Sequence, residues 1–383
     1  MQPRSSMTSG PPVTPLWSAP LPTPGGGSVV VEPTGGCAVT TPGSVSAYAS
    51  DGRPVWSPAP AGDARGKLLL AADGVLVRIE GGSVVVRDPR TGAVISSMAA
   101  PMSSTLAIAP WGELLYSQVA ADRTAAVRCI SRTGQHRWQV PLDPSALIVH
   151  APFGVGDAVV IPRRGALWAY DRDGEALWVA DPTGVRAPHA ADDDRRSPDE
   201  TFRLSDIPAR LDANRVIIEL EWYSGRGLYL LDGAAATITP IAVPSPVMGP
   251  HAVLPWAPTE FRVVGLGSRV QVSQVQAEHP VVAIEPGGAE AWRHGLVARA
   301  VSLCPTPNGN LIVASSPEPK RWRDYHKWYD LSAETFVRCL GPDGSERWTW
   351  YAPGLLTHLP VVTPTGTVYV GSEQRLWALQ DPS

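Results

Sequence analysis

The chain has 383 residues with 32 Lys and Arg against 36 Asp and Glu, a net charge of −4, so nucleic-acid binding through a global basic field is disfavoured. Its 40 Pro and 36 Gly fall at turn positions between runs of Val, Leu, Ile, Tyr and Trp, the pattern of a turn-rich fold rather than an unfolded one. No run of about 18 apolar residues occurs, and MQPRSSMTSGPPVTPLW holds no signal-peptide core; a soluble cytoplasmic protein without a membrane span is expected.

In chain order, one phrase recurs. Ser44–Trp56, Ser83–Ile95, Ala126–Trp138, Gly165–Trp178, Gly227–Ile238, Val281–Trp292 and Thr335–Trp348 each place a β-rich run, an Asp/Pro/Gly turn and an apolar or Trp anchor in the same order, the pattern of a hairpin. A period of roughly 40 residues signals a propeller or solenoid and one continuous domain. Leu106–Tyr116, Val301–Ala314 and Val361–Val370 add two strands upstream. Each copy is therefore predicted to be a four-stranded antiparallel meander, A to D. Tight A–B turns are expected at Pro33–Gly36, Ala72–Gly74, Pro110–Gly112 and Pro307–Asn310.

The fourth-strand anchors are Trp17, Trp56, Ile95, Trp138, Trp178, Thr237–Ile241, Trp292 and Trp348, which predicts eight blades with the large anchors packed between them. The last copy, Leu356 to Leu379, has strands A, B and C but no D, whereas Trp17 stands in a D strand with nothing before it. The N-terminal strand should complete the last blade and remove the open sheet edges. The expected fold is all-β: a single eight-bladed β-propeller over 14–383, closed by a strand at about 14–21, after a flexible segment 1–13.

LWAYDRDGEALW, VYVGSEQRLWAL and AYASDGRPVW resemble the pyrroloquinoline-quinone-type β-propeller repeat. The resemblance covers nearly the whole chain and implies the propeller fold. It leaves function open, because that family includes quinone-dependent dehydrogenases, outer-membrane assembly scaffolds and kinase sensor domains. The dehydrogenases typically carry an adjacent-cysteine disulfide and a calcium site of Glu, Asn and Asp. Here Cys37, Cys129, Cys304 and Cys339 lie far apart and no such ligand set is recognisable. No cofactor and no metal are expected, and the cysteines read as small buried hydrophobes.

The departures from the repeat, at about 179–205, 243–260 and 316–334, fall at D-to-A or B–C positions, which emerge on one face above blades five to seven. Binding residues concentrate in such loops. PHAADDDRRSPDE reads as a solvated acidic loop. In Ser316–Glu334, Lys320, Arg321, Arg323, His326 and Lys327 interleave with Trp322, Tyr325, Trp328 and Tyr329. Two readings stand: a recognition element rich in Arg and aromatic side chains, or a short helix packing Trp322, Tyr325 and Tyr329 onto the ring.

Two functions follow. The first is a non-catalytic cytoplasmic scaffold that recognises a protein partner through the face above blades five to seven. The alternative is a propeller enzyme of the lyase or cyclase type, binding a small molecule, with acid–base groups at the propeller mouth drawn from His251, His279, His358, Glu219, Glu221, Tyr223 and Arg226. No spacing ties these groups, or His150, into a constellation, and no GxSxG, P-loop, HExxH or dinucleotide fingerprint occurs.

Overall fold

The computed structural model describes residues 11–380 except 24, 62–63, 101–104, 120–123, 143–150, 164–165, 182–183, 187–201, 205–207, 223–224, 243–247, 258–259, 267–269, 272–276, 279, 297–299, 316–334 and 373. Among these residues every named element is a β-strand, and no helix is long and apolar enough to cross a membrane. Runs such as Leu114–Val119 and Ala158–Arg163 are short, apolar and rich in β-branched residues, so they form strands that bury both faces between neighbouring sheets.

The strands form an eight-bladed β-propeller of four-stranded antiparallel blades. Blade one comprises Val29–Val31, Cys37–Thr41, Ser44–Tyr48 and Pro54–Pro60; blade two Ala64–Leu70, Leu76–Glu80, Ser83–Arg87 and Val94–Ala99. Blade three runs from Leu106 to Leu142 and blade four from Phe153 to Asp181. Blade five runs from Phe202 to Ile241, blade six from Met248 to His294 and blade seven from Ala300 to Tyr351. The A strands of neighbouring blades touch around most of the ring, so they form its inner wall.

Closure follows the sequence expectation. Trp17–Pro20 pairs antiparallel with Arg375–Gln380, Trp17 opposite Ala378, and supplies the fourth strand of blade eight. Of the segment before it, residues 11–13 are among those described. Pro12 forms a parallel bridge with Thr349, with Val13 N donating to Thr349 O and Thr349 N to Pro11 O, both at 3.3 Å. Pro11–Val13 thus lies along the outer strand of blade seven before the chain enters blade eight.

One contact joins successive blades. Trp17 Nε1 donates to Ser50 O at 2.8 Å, Trp138 Nε1 to Arg172 O at 2.9 Å and Trp292 Nε1 to Pro342 O at 2.8 Å. Each indole then covers the turn glycine two residues further on, Gly52, Gly174 or Gly344. Trp56 does the same over Gly92, donating to Pro89 O at 2.8 Å. These glycines have φ between 79° and 85° in three cases and 72° at Gly92. A Cβ there would lie 2.6–2.7 Å from the ring, so glycine satisfies both the backbone and the packing. Opposite the strand-D anchors Trp56, Trp138, Trp178, Trp292, Trp348 and Trp17 stand small residues, respectively Ala47, Cys129, Ala169, Ala283, Cys339 and Ala378. That register explains why Cys129 and Cys339 are buried thiols.

Blade two corrects the anchor at Ile95, which is 58 % exposed. The residue in the Trp position is Ser96, opposite Val86. Ser96 Oγ donates to Arg132 O at 2.6 Å, taking over the indole hydrogen bond, and Met98 covers Gly134. Ile95 is one residue out of step, which turns its side chain to the opposite face.

Two insertion boundaries also change. Met248–Ala257, expected within the link 243–260, is strand A of blade six. Its Pro250 and Pro255 break the strand signature, but an inner strand has one unpaired side and shows register shifts between Met248 and Ala252 and between Pro255 and Ala257. Val179–Asp181 still belongs to strand D of blade four, and Gly184–Arg186 pairs with it as a fifth strand. An excursion not singled out from the sequence lies between strands B and C of blade six, where Val270–Gln271 pairs with Ala277–Glu278.

Candidate functional site

The Ser316–Glu334 insertion leaves and re-enters blade seven at the ends of three paired strands. Ser315 ends strand B, Phe336 opposite it begins strand C, and Tyr351 opposite Phe336 ends strand D. Ala352 N donates to Thr335 O at 2.9 Å and fixes the base. Lys320, Arg321, Trp322, Arg323, Tyr325, His326, Trp328 and Tyr329 lie outside the described residues.

Beside that base, Tyr351, Leu355 and Leu359 are 49, 57 and 50 % exposed. Tyr351 ends strand D of blade seven, Leu355 lies in the link to blade eight and Leu359 in strand A of blade eight. The stretch Tyr351–Val362 contains no Asp, Glu, Lys or Arg. Three large apolar side chains left exposed within nine residues of an uncharged stretch are candidates for an interaction surface. Sequence reasoning passed over them because Trp348 and Trp350, in the same run, are 1 and 6 % exposed and truly internal; the available signal was Gly354-Leu355-Leu356, apolar residues in a link that needs none.

Between blades six and seven, Arg338 joins Glu346 at 3.2 Å and reaches His294 Nε2 at 3.3 Å. Burial, with the neighbouring Arg338 charge adding to it, holds His294 below the ordinary histidine range. The sequence offered no motif for this group, whose members come from separate strands.

Of the proposed acid–base groups, His358 is fully placed. It is 1 % exposed on strand A of blade eight. Its Nε2 donates to Thr40 O of blade one at 2.7 Å, and its Nδ1 accepts from Thr357 Oγ1 at 3.0 Å. Gly27 and Gly371 flank the ring so closely that a Cβ on either would collide with it. Burial lowers its pKa, opposed by the bond to Thr40. Both nitrogens are engaged within the fold, so His358 joins blades eight and one.

His251 lies on strand A of blade six, and Glu221 is opposite Arg226 across strands B and C of blade five. The side chains of these residues lie outside the described set, as do His150, Tyr223 and His279 entirely. Glu219 is 5 % exposed two residues before Glu221. The described partners of His358 belong to blades eight and one.

A family model described as outer membrane protein assembly factor BamB matches residues 13–94 and 80–202. The chain is a β-propeller of the pyrroloquinoline-quinone-like repeat family. No curated protein matches the sequence. Among solved structures, it is similar to the Dos1 propeller at 11 % identity and TM-score 0.61, covering 96 % of this chain and 95 % of that one. The WD40 domain of SCAP from fission yeast aligns at 10 % identity and TM-score 0.55, covering 96 and 98 %. The Neurospora crassa Pan2 WD40 domain aligns at 10 % and 0.51, covering 97 and 95 %. At such identities these likenesses describe the fold alone.

Proposed function

We propose that this propeller is a non-catalytic scaffold that recognises a protein partner in the cytoplasm through the face above blades five to seven. The observation that carries the reading is the exposure of Tyr351, at the root of the Ser316–Glu334 insertion, and of Leu355 and Leu359 shortly after it in the chain. The insertion's own Trp, Tyr and Arg residues are of the types that dominate binding hot spots. Four cysteines that form no disulfide, three of them buried, suit a reducing compartment. The WD40-type neighbours supply the precedent of a propeller as a scaffold, by analogy of fold.

The test is co-purification from the native host with two variants. Trp322, Arg323 and Trp328 changed together to Ala, and separately Tyr351→Ala with Leu355→Ser, should each lose the partner while melting like the parent. Retained binding by both variants, or binding lost only together with the melting transition, would remove this face from the reading. Fractionation of host cells tests the compartment, and recovery outside the cytoplasm overturns that part.

A further inference from the structure

Strand B of blade two, Leu76–Glu80, is buried along its whole length although two of its residues are charged. Its alternation sorts them. Val77 and Ile79 pack on Leu114 and Tyr116 of blade three, and Leu76 packs on Ala38, Val45 and Ala47 of blade one. Arg78 and Glu80 share the Leu76 face and therefore look toward blade one. Arg87, opposite Leu76 on strand C, joins them there.

Glu80 is committed to Arg87. Arg87 Nη2 and Nε donate to its two carboxylate oxygens at 2.8 and 3.2 Å. The remaining Arg87 donors reach Gly92 O at 3.0 Å and Pro60 O at 2.9 Å. Arg78 is only 5 % exposed, and its Nε and Nη1 have no hydrogen-bond partner among the described residues. Two guanidinium groups thus share one carboxylate. Burial lowers the Arg78 pKa, opposed by the shared Glu80 charge, but a guanidinium stays protonated in a protein, and a buried cation with only a shared carboxylate to offset it is unfavourable.

The strand pairing is also irregular at this point. Arg65 stands opposite Ile79 and Leu69 opposite Val77, so Gly66, Lys67 and Leu68 together oppose Arg78. Leu68 N donates outside the ladder, to Ser28 Oγ of blade one at 2.8 Å, and Lys67 is exposed. The irregularity lies on the innermost strand, between Arg78 and the axis. Bulges of this kind recur beside binding sites.

We propose that this bulge is an oxyanion site, in which Arg78 donates to the oxygens of a carboxylate or phosphate that enters from the axial side past Lys67. Guanidinium groups match both oxyanions in geometry. The anion supplies the charge that Glu80, held by Arg87, does not. The source is either a small free anion or an Asp or Glu side chain presented by a protein.

The test uses the full-length chain. Melting is compared in sodium acetate, sodium phosphate and sodium chloride at matched pH and ionic strength, and acetate, inorganic phosphate and a tetraglutamate peptide are titrated by calorimetry. Acetate or phosphate should raise the melting temperature by about 2 °C or more over chloride. Arg78→Met, which keeps the apolar stem, should abolish the response, and Lys67→Ala should weaken binding severalfold. Equal melting of the parent in all three salts overturns the proposal, as does a full response in R78M. If R78M does not fold, K67A decides: unchanged affinity overturns the site. Tetraglutamate binding tenfold or more tighter than acetate assigns the oxyanion to a protein side chain, and comparable affinities assign it to a free anion.

Discussion

His358 Nε2 donates to the carbonyl oxygen of Thr40, 318 residues earlier in the chain, at 2.7 Å. With Nδ1 accepting from Thr357 Oγ1, the neutral ring has one donor and one acceptor, both used. Burial depresses its folded pKa below that of the unfolded chain. The unfolded state therefore binds the extra proton first as pH falls. The histidine's contribution is fully present above the unfolded pKa of about 6.5 and declines as pH drops from there toward the folded pKa, with a slope of at most about 1.4 kcal/mol per pH unit.

His358→Asn should accordingly lower stability at pH 7.5 and flatten the fall between pH 7 and 5, leaving the shared carboxylate and His294 contributions in place. Denaturant melts of the parent and H358N at several pH values measure the difference. Parallel pH profiles would show that His358 does not titrate with folding.

The termini predict a graded truncation series. Among the described residues, deleting residues 1–13 removes the bonds around Pro12 and Thr349 and the Val13 packing, and should cost about 1–2 kcal/mol. Deleting residues 1–24 also removes the strand paired with Arg375–Gln380, the Trp17 contact on Gly52 and the buried Ala19 and Leu21. That longer deletion leaves an unpaired strand and should cause aggregation or a much larger loss of melting temperature. Equal melting of the two truncations would contradict closure by the N-terminal strand.

The sequence made the ring legible because Trp anchors and glycine turns repeat in phase. Eight blades and their closure follow from Trp17 and the incomplete last copy. It failed where the phase marker changed chemistry. Ser96 holds the indole's acceptor with a hydroxyl while Met98 supplies the bulk, and neither looks like a Trp in a repeat alignment. In blade six, prolines in the inner strand imitate a loop. The candidate face was legible as residue types in Ser316–Glu334, whereas Tyr351 was not, because exposure depends on a register that alternates beside Trp350. Arg78 was invisible for a related reason: whether a strand arginine meets a carboxylate depends on the sheet beside it.

The split of roles in blade two is testable. Met98→Ala should cost about 2–3 kcal/mol through the cavity over Gly134, and Ser96→Ala about 1 kcal/mol through loss of the bond to Arg132 O. Because the two residues support one inter-blade contact, a double-mutant cycle should give a coupling of about 0.5 kcal/mol or more. Strict additivity would mean that the hydroxyl and the thioether act independently.

The buried pair of Arg87 and Glu80, with side chains 7 and 6 % exposed, makes the sharpest energetic prediction. Glu80→Gln removes the carboxylate while two guanidinium groups remain in the same interface, and should destabilise the protein by about 3–5 kcal/mol. The double change Glu80→Leu with Arg87→Met removes both members of the pair and leaves apolar stems of similar size. It should cost less than Glu80→Gln, because one guanidinium group, Arg78, rather than two is left without the carboxylate. Arg87→Met alone should be severe in the opposite electrostatic sense, leaving Glu80 to Arg78 and giving up the bonds to Gly92 O and Pro60 O. Chemical denaturation of the three variants beside the parent measures the cycle. A double variant as unstable as the sum of the singles would show that each side chain contributes through its own packing and backbone bonds, and that the charge pairing adds nothing.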